Sequence, residues 1–247
     1  MNDGEAISIY KEDGTIKSKE EFLSDVGGIY DKAAEHLGSS PYGQSFYEML
    51  CNPESLVDPS EVMDNFDFHS RTIYISDDIT SDLGTDIVRK IRMWNRIDDV
   101  DEIPADERVP IKIYIDTPGG DVYAVFSIIS AIQLSRTPVH TITYGCGYSG
   151  GFFIGICGHK RFGYPHSSYL FHEGMTLDGG DAHKFLQHVD FYKLQLKKIK
   201  DITTGHTKIS SEDYDARRKD DWFFSATEAL HYGIVDKILD NYEEVEE

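Results

Sequence analysis

A serine set between glycines, a histidine at the end of an apolar segment and an aspartate ahead of an aromatic cluster are the residues of this chain best equipped for chemistry. Ser149 lies in Gly147-Tyr148-Ser149-Gly150-Gly151, which fits the pattern G-x-S-x-G letter for letter. A serine hydroxyl becomes a useful nucleophile only when a base takes its proton and the resulting oxyanion is stabilised. His172, after Tyr169-Leu170-Phe171, is a candidate base. Asp221, in Lys219-Asp220-Asp221-Trp222-Phe223-Phe224, is a candidate partner for a base. The turn Asp116-Thr117-Pro118-Gly119-Gly120 can present backbone N–H groups to an oxyanion near a helix N-terminus. Each group also has a plainer reading. A serine before an apolar helix is a natural N-cap, a lone strand-end histidine is often structural, acids commonly sit at helix ends, and Gly-Gly can simply turn the chain. From the residues alone these alternatives stay open.

The elements that must position these groups follow from apolar periodicity. Ile111, Ile113 and Ile115 alternate, as a strand requires, and run into the Pro-Gly-Gly turn. A buried helix is expected from about Asp121 to Ser135, carrying Val122, Val125, Phe126, Ile129 and Ile132. A second strand, Val139 to Tyr144, leads through Gly145-Cys146-Gly147-Tyr148 to Ser149 and an apolar helix. A third strand, about 168 to 172, ends at His172. Strand ends that deliver reactive groups are the usual site-building device of α/β proteins. Upstream, a short strand spans Thr72 to Ser76, and Ile87, Val88, Ile91 and Trp94 mark a helix from Ser81. Residues 98 to 107 read as a solvated acidic loop.

Downstream, Asp181 opens a long helix with Phe185, Val189, Tyr192, Leu196 and Ile199 on one stripe, stopped by Gly205. A short polar helix spans Ser211 to Lys219. Ser225 and Glu228 form a capping box, Gly233 ends the helix it starts, and Ile234 to Leu239 is the last strand. The acidic tail after it is expected to be loose. Residues 1–60 read as an N-terminal helical extension, with a capping box at Ser18–Glu21 and apolar residues at helical spacing from Phe22 to Leu37. Residues 61–247 read as one further domain.

Composition excludes several function classes. The formal net charge of -20, from 44 acidic against 24 basic side chains, argues against nucleic acid, whose phosphates are bound by Lys and Arg. No apolar run is long enough to span a bilayer, and no basic segment followed by an apolar run marks a signal or transit peptide. Three widely spaced cysteines, Cys51, Cys146 and Cys157, have no metal-ligand pattern and fit a reducing compartment. The expectation is a cytoplasmic protein with no membrane partner, no metal and no cofactor.

Several short motifs, taken in order, resemble the proteolytic subunit of the Clp protease (ClpP-like peptidases). Ile113-Tyr-Ile-Asp-Thr-Pro-Gly-Gly120 is similar to the family's strand and Pro-Gly-Gly turn, and Gly145 to Gly151 falls on its serine motif. Lys160-Arg161-Phe162 with Pro165, Phe171-His172, Asp221-Trp-Phe-Phe-Ser-Ala226, Glu228-Ala229 and Tyr232-Gly-Ile-Val-Asp236 follow in the family's order. The resemblance covers about Arg71 to Leu239. It implies an α/β fold of the ClpP/crotonase-like kind, a repeated ββα spiral core with a protruding handle helix formed by 178–204. It implies Ser149 as nucleophile, His172 as general base and then acid, and Asp221 as the carboxylate that orients the imidazole, in the usual triad division of labour. The oxyanion donors it implies are the backbone N–H groups of Gly120 and Gly150. The function implied is a serine-type endopeptidase acting on unfolded polypeptides or peptides through an acyl-enzyme, inside a homo-oligomeric ring, with two rings stacked and an ATP-driven unfoldase as partner.

This sequence departs from the family at four places. Tyr148 stands where the family has a small residue, and Gly150 where it has a Met-like one. Glu173-Gly174 replaces Gln-Pro, which places the base on a more flexible segment. The first 60 or so residues do not match the segment that engages the unfoldase. Phe152, Phe153 and Tyr148 around the serine suggest a preference for an apolar residue before the scissile bond. Competing readings are an α/β-hydrolase-type esterase, whose triad would run serine, acid, histidine along the chain, and a non-proteolytic crotonase-like enzyme or ring scaffold. In this chain the best acid follows the best histidine, and only His231 lies beyond Asp221.

Overall fold

Apolar segments that alternate side chains between two faces pair in parallel to make the sheet. In the computed structural model the described residues are 64, 66–174 and 179–245. The N-terminal helix expected over 18–37 lies outside them. The chain divides between Ser70 and Arg71, and every described strand belongs to the second unit. Strand β1 (Thr72–Ile75) pairs with β2 (Ile111–Thr117), and β2 with β3 (Val139–Tyr148), all parallel. β4 (Lys160–Gly163) and β7 (Lys237–Ile238) continue the parallel order β1-β2-β3-β4-β7. The crossovers are helices: α1 (Ser81–Val100) between β1 and β2, α2 (Val122–Leu134) between β2 and β3, and α3 (Gly150–Ile156) after β3.

The core side of the sheet carries Ile73, Ile75, Ile111, Ile113, Ile115 and Val139, all buried, with Ile87, Ile91 and Trp94 of α1 and Ile128 and Ile132 of α2. The alternate positions place Tyr74, Tyr114 and Tyr144 in one row, with ring centroids 5.1 Å apart for the first pair and 6.3 Å for the second. Both helices start as their sequences require, Thr80 and Asp121 each accepting a backbone N–H from the first turn.

β3 reaches further than its apolar run predicts. Its first half pairs with β4, His140 to Lys160 through Thr143 to Gly163, and its second half with β5 (Ser168–Phe171), Cys146 to Ser168 through Tyr148 to Leu170. The glycine-rich approach to Ser149 is therefore strand rather than loop. Opposite it β2 shifts register between Ile115 and Thr117, and the Asp116 carboxylate accepts the Cys146 N–H at 2.8 Å.

After β5 come α4 (Ala182–His206), α5 (Ser211–Arg217), β6 (Trp222–Ser225) and α6 (Ala226–His231). β6 pairs antiparallel with β5. The capping box at Ser225 and Glu228 is formed in both directions. No helix among the described residues is long and apolar enough to cross a membrane.

Three expectations change. The acidic loop at 98–107 begins as helix, because α1 runs to Val100, and Asp98 is fully buried rather than solvated. Its carboxylate takes two bonds from the Arg71 guanidinium, at 2.5 and 2.8 Å, and one from Thr137 Oγ1 at 2.6 Å. Burial works to raise its pKa, but those bonds and the charges of Arg71 and Arg108 outweigh it and hold the carboxyl below its ordinary value. Gly205 lies inside α4, which ends one residue later. The tail is not loose up to Val245, which is 2% exposed and packs with Ile142, Phe162 and Leu239.

Candidate active site

Ser149 sits between the end of β3 and the start of α3 with φ 51° and ψ -113°. Among the described residues few non-glycine positions share a positive φ, and such a backbone costs about 1–3 kcal/mol unless its surroundings enforce it. Here they do, since the Ser149 N–H is tied to the Leu170 carbonyl of β5 at 2.9 Å. The serine occupies the N-cap position of α3, yet its side chain makes no cap hydrogen bond. A capping role is thereby removed, and the hydroxyl is left available.

The Pro-Gly-Gly turn lies against this corner. Gly119, at φ 113°, approaches so closely that a Cβ added to it would lie 2.8 Å from Ser149 Cβ and 3.1 Å from Ser149 Oγ. Gly120 is held by a parallel bridge to Ile79: the Ile79 N–H donates to the Gly119 carbonyl and the Asp121 N–H to the Ile79 carbonyl, both at 2.7 Å. A Cβ on Gly120 would meet the Ile79 carbonyl oxygen at 2.3 Å, so only glycine fits there. Among the described residues no carbonyl takes up the Gly120 N–H or that of Gly150 in the first turn of α3. The two groups are neighbours, since a Cβ built on Gly150 falls 3.5 Å from the Gly120 nitrogen. Gly150 is itself enforced, because that Cβ would lie 2.6 Å from Val125 Cγ2. A larger residue at 150 has no room while Val125 fills the space.

His172 follows β5 directly. β5 and β3 run parallel with Leu170 opposite Tyr148, so Ser149 and the residues leading into His172 leave the carboxyl ends of adjacent strands. β6 supplies the third group. Its register sets Trp222 opposite Phe171, which makes Asp221 and His172 the next facing positions of the antiparallel ladder. His172 Nδ1 lies 3.4 Å from Asp221 Oδ1, with the imidazole largely buried and the carboxylate exposed. His172 Nε2 is buried and has no hydrogen-bond partner, Ser149 Oγ included. Unliganded sites commonly show such long or unmade bonds. The five residues expected from the sequence, Ser149, His172, Asp221, Gly120 and Gly150, thus gather at one end of the sheet.

A group the sequence reading missed holds the chain on both sides of His172. Tyr214 of α5 is buried and stacks edge-on against Phe171, with 5.2 Å between centroids. Its hydroxyl donates to Glu173 Oε1 at 2.9 Å, while Arg218 Nη1 stands 3.6 Å from Oε2. Burial, then the bond and charge of Glu173, push the Tyr214 phenol well above its ordinary range. The residue after His172 is therefore anchored, where Glu173-Gly174 suggested a freer segment. The signal was legible only as an apolar tyrosine inside an otherwise polar helix.

Ser149 and His172 open onto a cleft of about 500 Å³, walled by Val122, Val125, Phe126 and Phe153 and, on α4, by Leu196 and Ile199. Of the aromatic residues expected around the serine, only Phe153 lines it. Phe152 packs inward on Phe171 and Phe224, and Tyr148 turns to Phe223 and Ser168.

The Clp protease family model matches residues 60–242, nearly three quarters of the chain and every element of this site. The chain belongs to the Clp protease family. It is by that membership a serine-type peptidase, a hydrolase, and the esterase reading falls away. Among similar curated proteins is the ATP-dependent Clp protease proteolytic subunit 2 of Treponema denticola, 29% identical over 192 residues that cover 77% of this chain and 92% of the relative. The corresponding subunit 2 of Treponema pallidum is 28% identical over 173 residues, 69% of this chain and 83% of the relative. The proteolytic subunit of Deinococcus radiodurans is 29% identical over 177 residues, covering 70% and 82%. At such identities the fold and peptidase class are shared, while the lining of the cleft is free to differ.

Proposed function

We propose that this chain is a serine endopeptidase that cleaves unfolded polypeptides or peptides through Ser149, His172 and Asp221. The observation that carries the reading is Ser149 itself: a strained, uncapped serine at a strand end, beside two N–H groups that no carbonyl takes and an imidazole backed by a carboxylate. His172 Nε2 is the buried acceptor that takes the Ser149 proton as Oγ attacks the scissile carbonyl. The carbonyl oxygen gains negative charge and is met by the N–H groups of Gly120 and Gly150. Asp221, at His172 Nδ1, orients the ring and offsets the charge it acquires. The Nε2 proton then passes to the departing amine, leaving an acyl-enzyme on Ser149. Water deprotonated by the same nitrogen hydrolyses the acyl group.

Subunits of this family work as rings with ATPases, and assembly is part of the proposal. In the single subunit α4 leaves Phe185, Leu186, Phe191 and Leu194 each between 41% and 60% exposed. Of the stripe expected to meet a facing ring, Tyr192, Leu196 and Ile199 line the cleft; Phe185 is exposed, and with Leu186, Phe191 and Leu194 it remains for contact with other copies. A closed homo-oligomer, with two rings meeting through α4, would cover them and place the serines in a chamber. Residues 1–60 are assigned as a separate extension of the 61–247 peptidase domain, and engagement of an ATP-driven unfoldase is proposed for the assembled ring.

The deciding experiment is labelling of the native assembly with a fluorophosphonate probe. A single adduct on Ser149, absent in Ser149→Ala together with the cleavage of an unfolded peptide, is the expected result. Peptidase activity undiminished in Ser149→Ala would overturn the assignment, because members of such a triad act as a unit.

A further inference from the structure

One polar side chain in the cleft has no role in the peptidase chemistry. Gln195 is 9% exposed, and its Oε1 is buried without a hydrogen-bond partner. It lies one turn before Ile199 and two before Thr203, on the inward face of α4. Thr203 satisfies its hydroxyl on the Ile199 carbonyl at 2.8 Å, as a buried polar group in a helix should. Gln195 does not. Much of the cleft wall is apolar, Val125, Phe126, Phe153 and Leu196 among it, and the polar side chains that share it, Tyr123, Ser149, His172 and Tyr192, make no hydrogen bond to that oxygen. Gln195 also borders a second groove, lined by α1, α2 and α4. Of the charged side chains that line these walls, Glu173 is engaged by Tyr214 and Arg218, and Lys198 lies over the Phe126 ring.

A buried acceptor left unmade disfavours the folded state, and an apolar residue of the same shape would not incur that loss. Such an orphan in a ligand cleft marks a place where the ligand completes the bond. Accepting the peptidase reading, on which this rests, we propose that Gln195 is a specificity-determining residue. Its carboxamide hydrogen-bonds the tip of the substrate side chain that enters the cleft before the scissile bond. The chemistry selects a side chain that is apolar along its length and ends in a neutral donor, a phenol or a carboxamide. A charged tip is disfavoured, since desolvation against a largely apolar wall costs it more than it costs a neutral one.

The test uses the full-length assembled protein and peptides identical except before the scissile bond, paired as tyrosine against phenylalanine and glutamine against methionine. In the unsubstituted protein kcat/KM favours tyrosine and glutamine by about ten-fold or more, the range over which an unpaired buried polar group discriminates. In Gln195→Met, which keeps the side-chain shape, both ratios fall to one or invert. A ratio of one or less in the unsubstituted protein, or one unchanged in Gln195→Met, overturns the proposal. Calorimetry of acetylated peptides ending in tyrosine or phenylalanine, on Ser149→Ala protein with and without Gln195→Met, asks the same question without turnover. Should no Ser149-dependent cleavage exist, the triad reading fails while the binding ratio still decides Gln195.

Discussion

Replacing Gly150 by alanine tests how the candidate oxyanion site is built. The added Cβ would lie 2.6 Å from Val125 Cγ2 and 3.1 Å from Ile79 Cδ1. Carbon atoms in contact prefer about 3.5–4.0 Å, so the first clash is short by roughly 1 Å. Val125 is buried on α2 and Ile79 is bridged to Gly120, so neither neighbour yields freely. Overpacking of this kind costs about 1–3 kcal/mol. The relief available is a shift of the α3 N-terminus, which carries the Gly150 N–H away from the developing oxyanion. Loss of one such donor costs about 10²–10³ in kcat. Val125→Ala removes the atom that clashes, so the pair should be coupled by about 0.5–3 kcal/mol, and the double variant should recover kcat relative to Gly150→Ala. The measurements are urea midpoints and single-turnover rates on one peptide across the four proteins. Additive effects, or wild-type kcat in Gly150→Ala alone, would refute both the packing account and the donor role.

Other outcomes follow from the same geometry. Asp98→Ala leaves the largely covered Arg71 guanidinium with the Val109 carbonyl but without its counter-charge, and should cost about 3–5 kcal/mol, on the order of 10 °C in thermal midpoint. Because Asp98 has a lowered pKa when folded, its contribution is present above the unfolded carboxyl value and is lost as pH falls through the folded one. The unsubstituted protein should therefore lose stability below about pH 4 more steeply than Asp98→Asn, as acid titration of the circular dichroism signal would show. Burial, and for Cys146 also the bond and charge of Asp116, push the thiols of Cys146 and Cys157 up to about 11 and about 12. With Cys51 replaced by serine, native protein at pH 8 should react slowly with a maleimide and rapidly once denatured, and fast labelling of native protein would contradict this. Leu186→Asp with Leu194→Asp, on the exposed face of α4, should reduce the native mass toward a single subunit, and an unchanged mass would remove that face from the proposed ring contacts.

What could be read from the sequence was whatever local spacing determines. Ile111-Ile113-Ile115 before Pro-Gly-Gly, the serine between glycines and the Ser225–Glu228 box announce their own geometry within a few residues. Asp98 could not be read that way. It falls in a run of acids, and the Arg71 and Thr137 that bury it come from distant parts of the chain. β6 was not read as a strand, since four residues give too little alternation to separate strand from aromatic cluster. Tyr214 and Gln195 escaped for the same reason: each is one residue on a helix, and its meaning depends on what lies across from it.

The register of β5 against β6 also sets an order in time. Synthesis delivers Ser149 and then His172, whereas Asp221 leaves the ribosome about 50 residues later and faces the histidine only once β6 has zipped onto β5. At ordinary elongation rates that interval lasts some seconds, during which a nascent chain holds a serine and an imidazole but no carboxylate to orient them. Under the proposed mechanism the site is completed by the β5–β6 pairing, late in synthesis and ahead only of the β4–β7 pairing.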